Sequence, residues 1–317
     1  MIIVSKDSSG DFKTIEEAIN SIPCNNRNEV KIFIKNGIYK EKLNIESDYI
    51  TLIGEDVIKT VITFNDYAKK KFSNGELYRT FNSYTVFVQG NNFTANSLTI
   101  ENSSGSGEDI GQAVALYVEG GNAKFKNCRL IGCQDTLFTG PLPESPIEGN
   151  DFGGPMEGKA RIVGRQYYEE CYIEGDVDFI FGSAIAVFNK CEIFSKNRNK
   201  EINGYITAAS TPRNNEFGYV FIDCKLTGNA TKDSVYLGRP WRDYAKTVFI
   251  NCYLGPHIKK EGWHNWNKEL ATKKTYYGEY KSYGPGACDN AREEWSYILN
   301  EKEVDIYLEK LSYYKKH

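Results

Sequence analysis

One phrase recurs along the chain: an aromatic residue, a cysteine three positions on, and an aliphatic residue two beyond that. It reads Phe125, Cys128, Leu130; Tyr168, Cys171, Ile173; Phe188, Cys191, Ile193; Phe221, Cys224, Leu226; and Phe249, Cys252, Leu254. Small or apolar residues alternate with polar ones in each copy, the two-residue period of a half-buried strand. An earlier copy, Phe93 to Ile100, has Ser97 near the cysteine position, with a one-residue offset in its aromatic. From Ser97 onward the markers lie 31, 43, 20, 33 and 28 residues apart. Most of these intervals hold no long helical pattern, which disfavours strand–helix–strand units. Strands repeating at uneven spacing predict a solenoid, whose turns vary in length while its strands stay stacked. The expectation is an all-β chain, a single-stranded parallel β-helix forming one domain over residues 1–317.

Both ends carry covers. Thr14 to Glu17 forms a capping box that opens a short amphipathic helix, with Ile15, Ala18, Ile19 and Ile22 on one face. Residues from Ala291 to Leu311 again show a helical pattern, through Trp295, Ile298, Leu299, Val304, Tyr307 and Leu308, and should pack outside the coils. The stretch 139–158 holds four Pro and five Gly, which marks a loop insertion inside the 43-residue interval.

Composition removes several function classes. A net charge of −3 and no basic cluster interleaved with aromatics argue against nucleic acid; Lys69, Lys70 and Lys71 read as a solvated loop. No apolar run approaches the roughly 20 residues that span a bilayer. The eight cysteines contain no Cys-x-x-Cys pair, so the repeated ones read as small buried residues rather than metal ligands or disulfides. Met1 to Val4 reads as a strand with no targeting features, so the chain is expected to be cytoplasmic, or secreted with a signal already removed.

The ladder brings chemistry together. Asp135 follows Cys128 by seven residues, and Asp178 follows Cys171 by seven. If both cysteines occupy one rung on successive coils, the two carboxylates sit one strand spacing apart, roughly 4.8 Å. Two like charges that close split their pKa values, which yields a nucleophile and a general acid at one pH. A cation should decide between them, and Arg239 is the candidate. Solvated turn aspartates are the alternative, but Asp178 lies within Val177, Phe179, Ile180 and Phe181, where an unpaired carboxylate is costly. Trp241, two residues past Arg239, would share its face on an extended strand.

Five segments then complete the picture: Gly37–Glu41, Gln112–Leu116, Gln134–Leu137, Asp178–Gly182 and Leu237–Trp241. Their order and content resemble the signature blocks of the pectin methylesterases, and the flanks extend the resemblance over nearly the whole chain. It departs at 139–158, which looks like a bacterial feature. The resemblance implies a right-handed β-helix and an aspartyl esterase acting on methyl-esterified homogalacturonan or oligogalacturonides, with no cofactor or metal, as a monomer. It implies Asp178 as nucleophile, Asp135 as proton donor and then base, and Gln134 and Gln112 as oxyanion donors, the alternative for the two glutamines being amides that ladder along a coil. Arg239 would keep Asp178 ionised. Thr85, Gln112, Arg239 and Trp241 would contact substrate, with a core tryptophan as the alternative for Trp241; Trp263 joins this set, and Trp266 lies nearby. The Gly37–Glu41 block reads as mainly structural. The rival readings are a polygalacturonase or pectate lyase on the same architecture, or a non-catalytic β-helix that binds polysaccharide. A Ser-His-Asp esterase is disfavoured, since only His257, His264 and His317 are present and no Gly-x-Ser-x-Gly elbow exists.

Overall fold

The structure, a computed structural model, describes residues 1–23, 25–147 and 149–316; Cys24, Glu148 and His317 lie outside the described residues. Among these residues the chain winds into three parallel sheets of eleven, seven and eight strands. The coil that opens at Ala123 shows the pattern. Ala123–Lys126 joins the eleven-stranded sheet, Arg129–Ile131 the eight-stranded one, and Leu137–Thr139 the seven-stranded one. The next coil starts at Arg165–Glu169, paired in parallel with Ala123–Lys126. The result is a right-handed parallel β-helix, the hand that parallel crossovers favour because a right-twisted strand folds back onto its sheet that way.

The recurring phrase is a rung. Phe125, Tyr168, Phe188, Phe221 and Phe249 stack with ring centroids 4.9, 4.7, 4.4 and 4.5 Å apart. Cys128, Cys171, Cys191, Cys224 and Cys252 are buried and unpaired, facing the solenoid interior. Each thiol donates to a carbonyl of the preceding coil, as from Cys191 to Tyr168 at 3.4 Å. The residue before each cysteine turns the corner between sheets at positive φ: Asn127, Glu170, Lys190, Asp223 and Asn251, all between 48° and 54°. Ser97 belongs to this corner series, at φ 54°. Leu130 pairs with Ile100, so Leu98 occupies the cysteine rung and Ser97 does not. The corner, not the thiol, is what the serine shares with its neighbours.

The ends partly follow the sequence pattern. The helix Ile15–Asn20 has its capping box, and Glu41 adds a second cap by accepting from the amides of Ile15 and Glu16 at 3.2 and 2.9 Å. That contact, with buried Tyr39, gives the Gly37–Glu41 block a structural role. The C-terminal helix begins later than expected. A short 3-10 turn, Asp289–Ala291, leads to the strand Tyr297–Ile298, which extends the eleven-stranded sheet, and the helix runs Glu301–Lys316. The backbone at 297–298 finds ladder partners on Gly278 and Glu279, which outweighs the local helical pattern. The helix packs outside the coils through Val304, Tyr307 and Leu311, against Val187, Val220 and Val248.

Candidate active site

Leu137 pairs with Ile180, which puts Asp135 and Asp178 level on adjacent coils, and the amide of Asp135 donates to the Val177 carbonyl at 3.0 Å. On the other side of the Asp178 strand, in the ladder to the strand Gly204–Ala209, the register shifts between Val177 and Ile180. This bulge lets Phe179 and Ile180 both enter the interior while Phe181 joins the outer aromatic cluster. Asp135 and Asp178 each take a left-handed backbone, at φ 64° and 49°. Both carboxylates are buried and both line a cleft of about 450 Å³ on the outer face.

Among the described residues only Asp178 has a cation paired with it. Arg239 follows the strand Val235–Gly238 and reaches back across one intervening coil. Its Nε donates to Asp178 Oδ1 at 2.8 Å and its Nη2 to Oδ2 at 2.6 Å, a bidentate pair. The guanidinium lies between two aromatic faces, 3.8 Å from the Tyr205 ring centroid and 3.7 Å from that of Trp266. Trp266 projects there from a positive-φ turn whose amide donates to His264 Nδ1 at 3.0 Å. Burial pushes the Asp135 carboxyl well above its ordinary pKa, and the charge of Asp178 adds to the effect. Burial also raises Asp178, opposed by the charge and hydrogen bonds of Arg239. These effects favour the proton on Asp135 over Asp178. Arg239 acts on Asp178 in the expected direction, opposing desolvation through its charge and its two hydrogen bonds, and so sets the order of the two carboxyls.

Gln112 and Gln134 both line the cleft beside the dyad. Among the described residues neither side-chain amide bonds to another protein group, so they do not ladder with each other. Gly107 lies against Gln134, where a Cβ would come within 2.6 Å of Oε1. Trp241 lines the cleft and packs against Phe181 at 5.8 Å.

Two expected substrate contacts are corrected. Thr85 is fully buried and donates to the Glu101 carbonyl at 2.8 Å, whereas Thr80, at the start of a short 3-10 turn, faces the cleft. Trp263 is fully buried and stacks on Tyr277 at 4.3 Å, whereas Trp266 lines the cleft. Residue type could not separate members of either pair; the turns that carry them do. Phe81 and Phe152 are further cleft residues that sequence reasoning did not single out. The Pro/Gly-rich insertion forms part of one wall, through Pro146, Asp151 and Phe152.

Comparison with known proteins matches the pectinesterase family model to residues 1–142 and 161–310, leaving out most of the insertion. Pectinesterase 31 of Arabidopsis thaliana is 35% identical over 97% of this chain and 90% of its own length. The structure of pectin methylesterase PemA from Erwinia chrysanthemi superposes with a TM-score of 0.78 at 32% identity, covering 96% of this chain and 94% of that one. A pectin methylesterase solved in complex with a hexasaccharide gives a TM-score of 0.79 at 32% identity and the same coverage.

Proposed function

The chain belongs to the pectinesterase family and is a carboxylic ester hydrolase, and on that premise we propose that it removes the C6 methyl esters of homogalacturonan through a covalent aspartyl intermediate. The observation that carries this reading is the asymmetry of the dyad: two level carboxyls, of which only Asp178 has a guanidinium. Asp178, ionised, attacks the ester carbonyl carbon, and the amides of Gln112 and Gln134 receive the developing oxyanion. As the tetrahedral species collapses, the C6–methoxy bond breaks and the leaving oxygen takes the proton of Asp135. Methanol departs and an anhydride joins Asp178 to C6. Asp135, now a carboxylate, takes a proton from the water that attacks C6. The anhydride breaks, Asp178 returns as carboxylate, and the galacturonic acid product ionises in solvent.

The substrate assignment draws on the family, on the aromatic cleft floor of Trp241 and Phe181, and on the hexasaccharide bound by a similar enzyme. Methanol and reducing ends measured together on highly methylated pectin test it. Methanol without new reducing ends is expected, abolished in a folded Asp178→Asn variant. Reducing ends without methanol would replace this reading with glycosidic-bond cleavage.

A further inference from the structure

Arg79 and Asp151 meet at the rim of the cleft from two unrelated segments. Arg79 ends the excursion between the strands Thr60–Phe64 and Val86–Val88, and its own backbone is left-handed, at φ 59°. Asp151 belongs to the stretch that the family model passes over. One guanidinium nitrogen donates to the Asp151 carboxylate and another to the Asp151 backbone carbonyl. The segment is seated closely. A Cβ on Gly153 would lie 3.3 Å from Arg79 Nη1, and one on Gly154 would lie 2.5 Å from the Cβ of Phe81. Just before these glycines, Phe152 is buried edge-on against Phe81 and Trp241, at 5.8 and 6.1 Å.

The two side chains are 44% and 47% exposed, so their pairing adds little to stability. Its consequence lies in the cleft. Of the two guanidinium groups among the described residues lining the cleft, Arg239 is already committed to Asp178, which leaves Arg79 for a carboxylate on the substrate to reach. Asp151 holds that guanidinium on two of its nitrogens. A free galacturonate carboxylate arriving there would have to displace Asp151 and then sit beside its like charge, whereas a methyl ester carries no charge to repel.

We infer that Asp151 is a specificity-determining residue: by occupying Arg79 it makes this end of the cleft accept methyl-esterified units over units with free carboxylates. The inference rests on the proposed function. An arginine released from Asp151 would favour chains that are already partly de-esterified, so the insertion biases the enzyme toward highly esterified stretches.

Two measurements test this on the full chain carrying Asp151→Asn, Asp151→Glu, or Asp151→Asn with Arg79→Gln. The first is the ratio of kcat/KM for methanol release from partly de-esterified pectin to that from highly esterified pectin. Asp151→Asn should raise the ratio about two- to fivefold at low salt, the effect of freeing one half-exposed charge. High salt should erase the gain, and both Asp151→Glu and the double variant should return the ratio to that of the parent. An unchanged ratio in Asp151→Asn overturns the inference. The second is equilibrium binding of de-esterified oligogalacturonate, which needs no turnover. Binding should tighten in Asp151→Asn by a similar factor, and unaltered binding overturns the inference independently of whether methanol is released. Absence of methanol release from the parent enzyme would instead count against the proposed function.

Discussion

Asp135 and Asp178 hold left-handed backbone angles in a region that costs a non-glycine residue about 1–2 kcal/mol. What they gain is position: two carboxyls aimed into one cleft from adjacent strands. Burial alone raises both pKa values, so the division of labour depends on Arg239. The sign follows directly. Arg239 favours the Asp178 anion, and its loss lets that pKa climb further. Arg239→Gln should therefore move the acid limb of the pH–rate profile to higher pH, because more alkali is needed to form the nucleophile. The limb reports the coupled pair rather than either residue. Maximal rate should fall by about a hundredfold or more, since a bidentate charge-assisted bond also orients the carboxylate. An unmoved limb with near-normal rate would remove Arg239 from this role. The two aspartates were legible in the sequence because both are tied to the strand repeat, whereas Arg239 was legible only as a candidate cation in the Leu237–Trp241 block.

At the scale of the element, the rung is a corner followed by an inward cysteine, and the corner is the more general feature. Ser97 keeps the left-handed corner while Leu98 takes the inward place, so aligning on the cysteine alone shifted that coil by one residue. A one-residue shift in a strand exchanges inside for outside, which is why the register needs the corner as well as the thiol. The rung thiols should be chemically silent in the folded protein. Burial raises the pKa of Cys128, Cys171, Cys191 and Cys224, and thiolate is the reactive form. Peptide mapping after brief labelling with a thiol reagent should find Cys133 and Cys288, both half-buried, modified well ahead of the five rung cysteines. Denaturant should bring all of them to similar rates. Rapid labelling of any rung cysteine under native conditions would contradict its interior placement.

For the whole molecule, the coils form one continuous core, and the C-terminal helix covers part of its outer wall. Tyr307 is buried in that cover against Phe217, with ring centroids 5.0 Å apart. Replacing it with alanine leaves a cavity and should lower stability by about 2–4 kcal/mol. The denaturant midpoint would read this loss, and the rate below the transition should stay close to the parent's, because the helix lies apart from the residues that line the cleft. A midpoint within error of the parent would mean that the helix contributes no cover. The helix was legible from Val304, Tyr307 and Leu311. Its start was not, because 297–298 pair with a neighbouring strand that no local pattern announces.

The sequence by itself determined the solenoid and the register of the two aspartates. Each follows from a strand repeat, and a strand repeat fixes which residues stack and which face they share. Only the tertiary structure decided the walls of the cleft. Thr80 in place of Thr85, Trp266 in place of Trp263, and Asp151 upon Arg79 are all set by turns and by a segment outside the repeat. Their positions depend on how far irregular backbone leans over the sheet. That is settled by contacts between residues distant in sequence, such as Phe152 on Trp241 and Phe81, and periodicity carries no information about those contacts.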